Sequence, residues 1–314
     1  MSKLRESLEQ YVSLRRNLGA KLRGVDSTLR SFVAFAEREN ASYITTDLAV
    51  RWAKEPQHVQ PVTWASRLQM VRGFATWLSA KDRRTEVPPA GLLPHRYHRK
   101  SPYLYSDAEI KKLVRAAREL PSASGLKGHT YATIFGLLSV TGMRLSEVLA
   151  LNREDVNLED GILSIRRTKF GKSRLIPLHN STRQALVVYA RERDRTVGRP
   201  ADLAFFVSES GTRVTQWSTR YNFAKVSRDV GLRPPVKGCR HGHGPRLHDM
   251  RHRFAARTLV DWYRAGLNVE REIPKLATYL GHVHVNDTYW YIEAVPELLE
   301  LATRRLESQK EVQP

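Results

Sequence analysis

Arg144, Lys169, His248, Arg251, His282 and Tyr291 together supply what is needed to break and rejoin a phosphodiester without a metal. Nucleophilic attack on phosphorus builds negative charge on the non-bridging oxygens. Arginine offers planar paired donors that fit those oxygens and stay charged at any working pH, so Arg144 and Arg251 can grip one phosphate. A lysine whose pKa is lowered by burial near other cations can give a proton to a departing sugar oxygen. Two histidines can hydrogen-bond or shuttle protons, and the phenol of Tyr291 can act as the nucleophile.

Local sequence sets how these groups must be held. Arg144 follows Thr141-Gly142 and precedes Leu145, Val148, Leu149 and Leu151, which places it at the start of a helix beside N–H groups that favour an anion. Glu147, three residues on, is suited to orient Arg144 and not to catalyse. His248 and Arg251 are three apart on a predicted helix and share a face. His252 and Arg253 are expected to point elsewhere, with His252 in packing or on a DNA backbone. Gly281 is expected to end a helix just before His282. Tyr289 lies two residues from Tyr291, on nearly the opposite side of a helix, and is expected to be a buried structural tyrosine. A competing constellation is Cys239, His241, His243 and His248, a zinc site if the ligands converge, although their spacing is not that of a standard finger.

The segments Thr141-Gly142-Met143-Arg144-Leu145-Ser146-Glu147, Leu247-His248-Asp249-Met250-Arg251-His252 and Leu280-Gly281-His282 followed by Tyr291 resemble the boxes of the tyrosine recombinases, the family of phage integrases, Xer-type recombinases and transposon-borne integrases. The resemblance spans roughly residues 105 to 295. It implies Tyr291 over Tyr289, because the nucleophile follows the box histidine by nine positions, the spacing from His282 to Tyr291. It implies Lys169 as the catalytic lysine, since Thr168-Lys169-Phe170-Gly171-Lys172 precedes an Arg174-Leu175-Ile176-Pro177 strand; Phe170-Gly171 departs from the usual small residues, which leaves Lys172 as the alternative. The implied reaction forms a 3′-phosphotyrosine on Tyr291. Arg144 and Arg251 stabilise the charge, His282 donates a hydrogen bond, Lys169 protonates the 5′ oxygen and His248 accepts the tyrosine proton, with no cofactor. The implied partners are double-stranded DNA carrying specific recombination sites and further copies of the chain in a tetrameric synapse, with accessory recombination proteins as a further option. Mobile-element integration or transposition is the expected biology. The rivals are a type IB topoisomerase-like DNA relaxation activity, a catalytically inert basic DNA-binding regulator and an RNA-binding protein. The segment between Arg251 and His282, through Trp262 to Val269, is longer than the family pattern.

Composition agrees with a nucleic-acid partner. The net charge is +20 over 314 residues, which favours a polyanion. The six tryptophans, Trp52, Trp64, Trp77, Trp217, Trp262 and Trp290, indicate folded cores. No run of ~18 apolar residues suggests a membrane span. The N-terminus lacks an apolar signal core, and with Cys239 as the single cysteine no intrachain disulfide can form. A cytoplasmic, nucleoid-associated protein with no membrane contact is expected.

The chain is expected to be mainly α. Residues 1–95 read as four helices: one with Leu4, Leu8, Tyr11, Val12 and Leu14 inward; one capped by Asp26 or Ser27; a short one from Thr46; and one from about Thr63 to Ala80 whose polar face carries Arg67 and Arg72. The resemblance makes this a SAM-like core-binding domain. Residues 96–105 read as a basic, proline-punctuated linker with Arg99 and Lys100. Residues 106–314 read as an α-rich catalytic domain with a small β-hairpin around the Lys169–Lys172 turn and a C-terminal helix from Pro296. Arg67, Arg72, Arg99, Lys100 and Lys172 are the expected DNA contacts, and the two domains are expected to close around a duplex. The apolar stripe of the last helix suits either its own domain or a neighbouring protomer.

Overall fold

The computed structural model describes residues 2–22, 24–95, 101–166, 173–198, 202–235 and 244–311, with side chains omitted at 294 and 306–311. The chain forms two compact units, Met1–Lys100 and Ser101–Pro314.

The first unit is helical: α1 (Lys3–Asn17), α2 (Val25–Arg38), α3 (Thr46–Lys54) and α4 (Pro61–Ser79). Ser2 caps α1 and Thr45 caps α3 through side-chain oxygens, the standard remedy for the unpaired N–H groups of a first turn. Helix α2 departs from expectation. Its cap is Gly24 at φ +79°, and Asp26 and Ser27 lie inside the first turn. Pro61 starts α4, where its missing N–H costs nothing. Leu8, Leu29, Phe32, Trp52 and Phe74 fill the core, with Phe32 edge-on to Trp52 at 5.2 Å. Leu14, expected inward, is exposed.

The second unit is built on α5 (Asp107–Arg118), α6 (Leu126–Thr141) and α7 (Leu145–Ala150), followed by a short 3₁₀ turn. Ser106 and Glu109 form the capping box of α5. Helix α6 is apolar nearly all round because it is packed on several sides, against α5, α8 (Asn180–Val197) and α10 (Leu247–Arg264). The sheet has three antiparallel strands in the order β1 (Val156–Asn157), β2 (Ile162–Ile165), β3 (Arg174–Pro177), with Leu163 opposite Ile176 and Ile165 opposite Arg174. Leu163, Ile165 and Ile176 point into the core, as the two-residue alternation of a strand requires. The two-residue β1 goes beyond the hairpin read from sequence. Helix α9 (Gln216–Asp229) leaves Trp217 exposed and stacked on Tyr221 at 5.5 Å, so this tryptophan is not a core residue as its type suggested.

Helices α10, α11 (Val269–Leu280), α12 (Asn286–Ala294) and α13 (Pro296–Glu311) enclose a further apolar cluster that includes Leu259, Ile273, Leu280, Tyr291, Val295 and Leu298. The stripe on α13 is used within its own unit: Leu298 is fully buried beside Tyr291, while Leu299 faces solvent. Among the described residues, no helix is long and apolar enough to cross a membrane.

Candidate active site

The three boxes meet around one turn of chain. Helix α6 stops where Gly142 takes φ +60°. A Cβ there would lie 2.5 Å from Phe254, so glycine is required by both conformation and space. The chain then delivers Arg144 to the position just before α7. Glu147 folds back from the first turn of α7. Its carboxylate accepts from the Arg144 N–H at 2.9 Å and from Arg144 Nη1 at 2.9 Å. It also accepts both terminal nitrogens of Arg174 on β3, at 3.2 and 2.8 Å. One buried carboxylate therefore fixes two guanidiniums. Burial pushes the Glu147 carboxyl up, but the Arg174 and Arg144 bonds outweigh it and hold the group below the usual carboxylate range. Sequence reasoning singled out Glu147 as an orienter but missed Arg174, whose only signal was its place at the mouth of a strand beside a buried acid.

Arg144 Nη2 donates to the Gly281 carbonyl at 2.8 Å. Arg251, 2% exposed on α10, donates to the Leu280 carbonyl at 2.7 Å and to the Gly142 carbonyl at 2.8 Å. The two guanidiniums thus sit on consecutive carbonyls at the end of α11. Gly281 makes this possible: it takes φ +69°, and a Cβ would lie 2.9 Å from Arg174 Nη1 and 3.4 Å from Arg144 Nη1. The partners of Arg251 are carbonyl dipoles, not a carboxylate, and its full charge is poorly compensated. Burial and the charge of Arg144 hold it down to about 10, still protonated at neutral pH. Two cations held on neighbouring carbonyls of one turn favour an anion beside them.

His282 follows Gly281. Its Nδ1 pairs with the hydroxyl of Thr288, a buried residue of α12, at 2.7 Å, which fixes the ring as buried histidine sites commonly do. Burial, then Arg251 and Arg144, push His282 down to about 4. His248, at the start of α10, is likewise pushed down to about 4 by burial and by Arg251. Arg144 and His248 line a cleft of about 490 Å³ together with Ser146, Arg220, Arg233 and Arg246. The cleft is cationic, and it can accept a phosphodiester.

Tyr291, on α12, lies beside His282. Its ring lies nearly parallel to His282, with centroids 6.5 Å apart. The exposures of the two tyrosines are the reverse of the sequence expectation: Tyr291 is 2% exposed and Tyr289 is 39% exposed. The Tyr291 hydroxyl lies 3.1 Å from Nδ1 of His252. His252 therefore faces the site, contrary to the expectation from its position next to Arg251. It follows His248 by four positions, one helical turn, and so shares the face that carries His248 and Arg251. Burial and the adjacent His248 push His252 down to about 3.

Lys169 and Lys172 lie outside the described residues, as do Arg99, Lys100, Cys239, His241 and His243. Among the described residues no group of three His, Cys, Asp or Glu side chains is placed to hold a metal ion. In the first unit Arg67 is turned inward. Its guanidinium lies 3.9 Å over the Trp52 ring and donates to the Trp52 carbonyl at 2.9 Å. That ties it to its own fold, and not to the exposed polar face on which it was expected. Arg72 donates to the Pro88 carbonyl at 3.0 Å.

Residues 104–297 match the model of the phage integrase family. The integrase/recombinase y4rB of Sinorhizobium fredii is 47% identical over 98% of this chain and 98% of its own. Among solved structures, the Tn1549 transposon integrase in complex with transposon right end DNA covers 96% of this chain and 98% of its own, with a TM-score of 0.65 at 15% identity. A lambda integrase tetramer bound to a Holliday junction covers 92% of this chain and 76% of its own, with a TM-score of 0.64 at 15% identity.

Proposed function

Because the chain belongs to the phage integrase family, the tyrosine recombinases, an enzyme family that breaks and rejoins DNA, we propose that it does so through a 3′-phosphotyrosine on Tyr291, in the service of mobile-element integration or transposition. One observation carries the proposal: Arg144 and Arg251, more than a hundred residues apart in sequence, hydrogen-bond consecutive carbonyls of the turn that also presents His282, against which Tyr291 packs.

The scissile phosphate enters the cleft lined by Arg144 and His248 and is gripped by the Arg144 and Arg251 guanidiniums. They take up the charge that develops on its non-bridging oxygens, and the surrounding low dielectric strengthens each contact. The phenolic oxygen of Tyr291 bonds to phosphorus as the bond to the 5′ oxygen breaks. His282 donates a hydrogen bond to the phosphate. His248 lines the cleft, where the entering anion restores the basicity that burial and its cationic neighbours depress, and it receives the phenolic proton. Lys169 gives a proton to the departing 5′ oxygen. A 5′-hydroxyl from a partner strand reverses the steps, so the phosphodiester energy is kept in the protein–DNA bond. Glu147 and Arg174 touch no substrate and set the position of Arg144.

We extend two further features by likeness. The solved lambda integrase is a tetramer on a Holliday junction, which supports double-stranded recombination sites and a tetrameric synapse for this chain. The family's two-part division supports residues 1–95 as a core-binding domain, 96–105 as a linker and 106–314 as the catalytic domain. A nicked suicide duplex tests the chemistry. Tyr291→Phe should bind DNA and form no covalent adduct, whereas Tyr289→Phe should form it. An adduct that persists in Tyr291→Phe and vanishes in Tyr289→Phe would reverse the assignment.

A further inference from the structure

The contact between His252 and Tyr291 is unexplained by the six proposed catalytic groups. His252 does not line the cationic cleft as His248 does. It sits behind the nucleophile. Its ring is edge-on to Trp290, with centroids 5.4 Å apart, and to His248, with centroids 4.6 Å apart. Its Nδ1 lies 3.1 Å from the Tyr291 hydroxyl. Ring contacts on two sides restrict how far the His252 ring can turn. Packing holds the ring beside the phenol, and the hydrogen bond places Nδ1 toward it.

We propose that His252 is a positioning residue for the nucleophile: Nδ1 accepts a hydrogen bond from the Tyr291 hydroxyl and thereby fixes the direction of the phenolic lone pairs for the incoming phosphate. The phenolic O–H can rotate about its bond to the ring, and only some rotations leave a lone pair pointing at an incoming phosphorus. An acceptor fixed to one side of the oxygen selects those rotations before substrate arrives. His252 is suited to accept and not to keep the proton. Burial and His248 hold the ring neutral against the pull of Asp249, with Arg246 and Arg251 adding smaller contributions, so Nδ1 offers a lone pair while the proton stays on oxygen until attack, when it passes to His248, whose ring adjoins His252. The proposal rests on Tyr291 being the nucleophile.

Two substitutions separate this role from simple packing. His252→Leu fills most of the ring's space and has no acceptor. His252→Asn packs less well but carries an amide oxygen near the position of Nδ1. Single-turnover adduct formation on the suicide duplex would be measured with the full-length wild type, both variants and Tyr291→Phe, alongside duplex binding and thermal melting. The proposal predicts that His252→Leu forms adduct about ten- to a hundredfold more slowly than wild type at unchanged duplex affinity. His252→Asn should recover most of the rate, even if it melts lower. Should Leu match or exceed Asn in rate, the contact is packing and the proposal fails. Equal and severe losses in Leu and Asn would also overturn it, since the acceptor would then be insufficient. Persistence of the adduct in Tyr291→Phe would instead remove the underlying assignment, which these outcomes leave separate.

Discussion

Glu147→Gln is the perturbation whose consequences follow most directly from the geometry. The wild-type carboxylate, its side chain 5% exposed, receives the Arg144 N–H and three guanidinium N–H groups from Arg144 and Arg174. Glutamine keeps the shape and one acceptor oxygen but removes the charge and turns a donor toward the arginines. Removing one partner of a buried ion network costs about 3–5 kcal/mol. Arg144 keeps some access to water, with its side chain 28% exposed against 11% for Arg174, so the estimate here is about 2–4 kcal/mol. For a unit of this size that is roughly 5–15 °C in Tm. Because the Glu147 pKa is depressed on folding, its contribution is fully present above the unfolded value near ~4.3 and is lost as pH falls through the folded value. The difference in Tm between wild type and variant, followed by circular dichroism from pH 7 downward, should therefore shrink below about pH 4. Cleavage should fall further than stability, because Arg144 loses its orienter. A variant that melts within a degree of wild type at neutral pH would refute the view that this carboxylate holds the two arginines in place.

Three further outcomes follow from the same structure. Arg67→Ala should lower the stability of the first unit by about 1–2 kcal/mol, through loss of the Trp52 ring and carbonyl contacts, and should leave the salt dependence of DNA binding unchanged; a salt slope reduced by about one at constant Tm would instead place Arg67 on a phosphate. His248, His252 and His282 are all depressed on folding, so the unfolded chain takes up protons below about pH 6.5 that the folded chain refuses until near its own values. Stability of the free protein should fall with pH across that window, by up to about 1.4 kcal/mol per pH unit for each histidine, and bound DNA should flatten the loss; a Tm flat from pH 7 to 5 would contradict the buried neutral rings. Adduct formation should survive excess EDTA, since guanidiniums supply the charge stabilisation; loss restored by added zinc or magnesium would contradict it.

How much could be read from the sequence depended on whether a signal was local. A mainly helical chain with a small sheet was legible because the apolar positions repeat at helical spacing and Ile162-Leu163 and Leu175-Ile176 interrupt that pattern. The convergence of Arg144, Arg251, His282 and Tyr291 was legible only as a set of motifs; what brings them together is the pair of left-handed turns at Gly142 and Gly281, and neither turn reveals from sequence which carbonyl it will present. Arg174 was invisible because its partner Glu147 is 27 positions away. The place of His252 was legible in its spacing of one turn from His248, though not in its position next to Arg251. The burial of Tyr291 and exposure of Tyr289 follow from how α12 lies on α10 and α11, a tertiary choice that two aromatic residues in one helix cannot disclose. The direction of Arg67 was hidden for the same reason: an arginine on a polar helical face can still fold back over a tryptophan of the neighbouring helix.

Tyr291 is proposed to form the covalent bond to DNA. The measurement that addresses it most directly is mass spectrometry of the trapped adduct: the wild-type protein is reacted with a nicked suicide duplex, digested with protease and nuclease, and the nucleotide-bearing peptide is sequenced. The expected product is a 3′-phosphonucleotide on Tyr291 within the peptide of helix α12. A nucleotide on Tyr289 or any other residue, or strand joining with no covalent peptide at all, would contradict it.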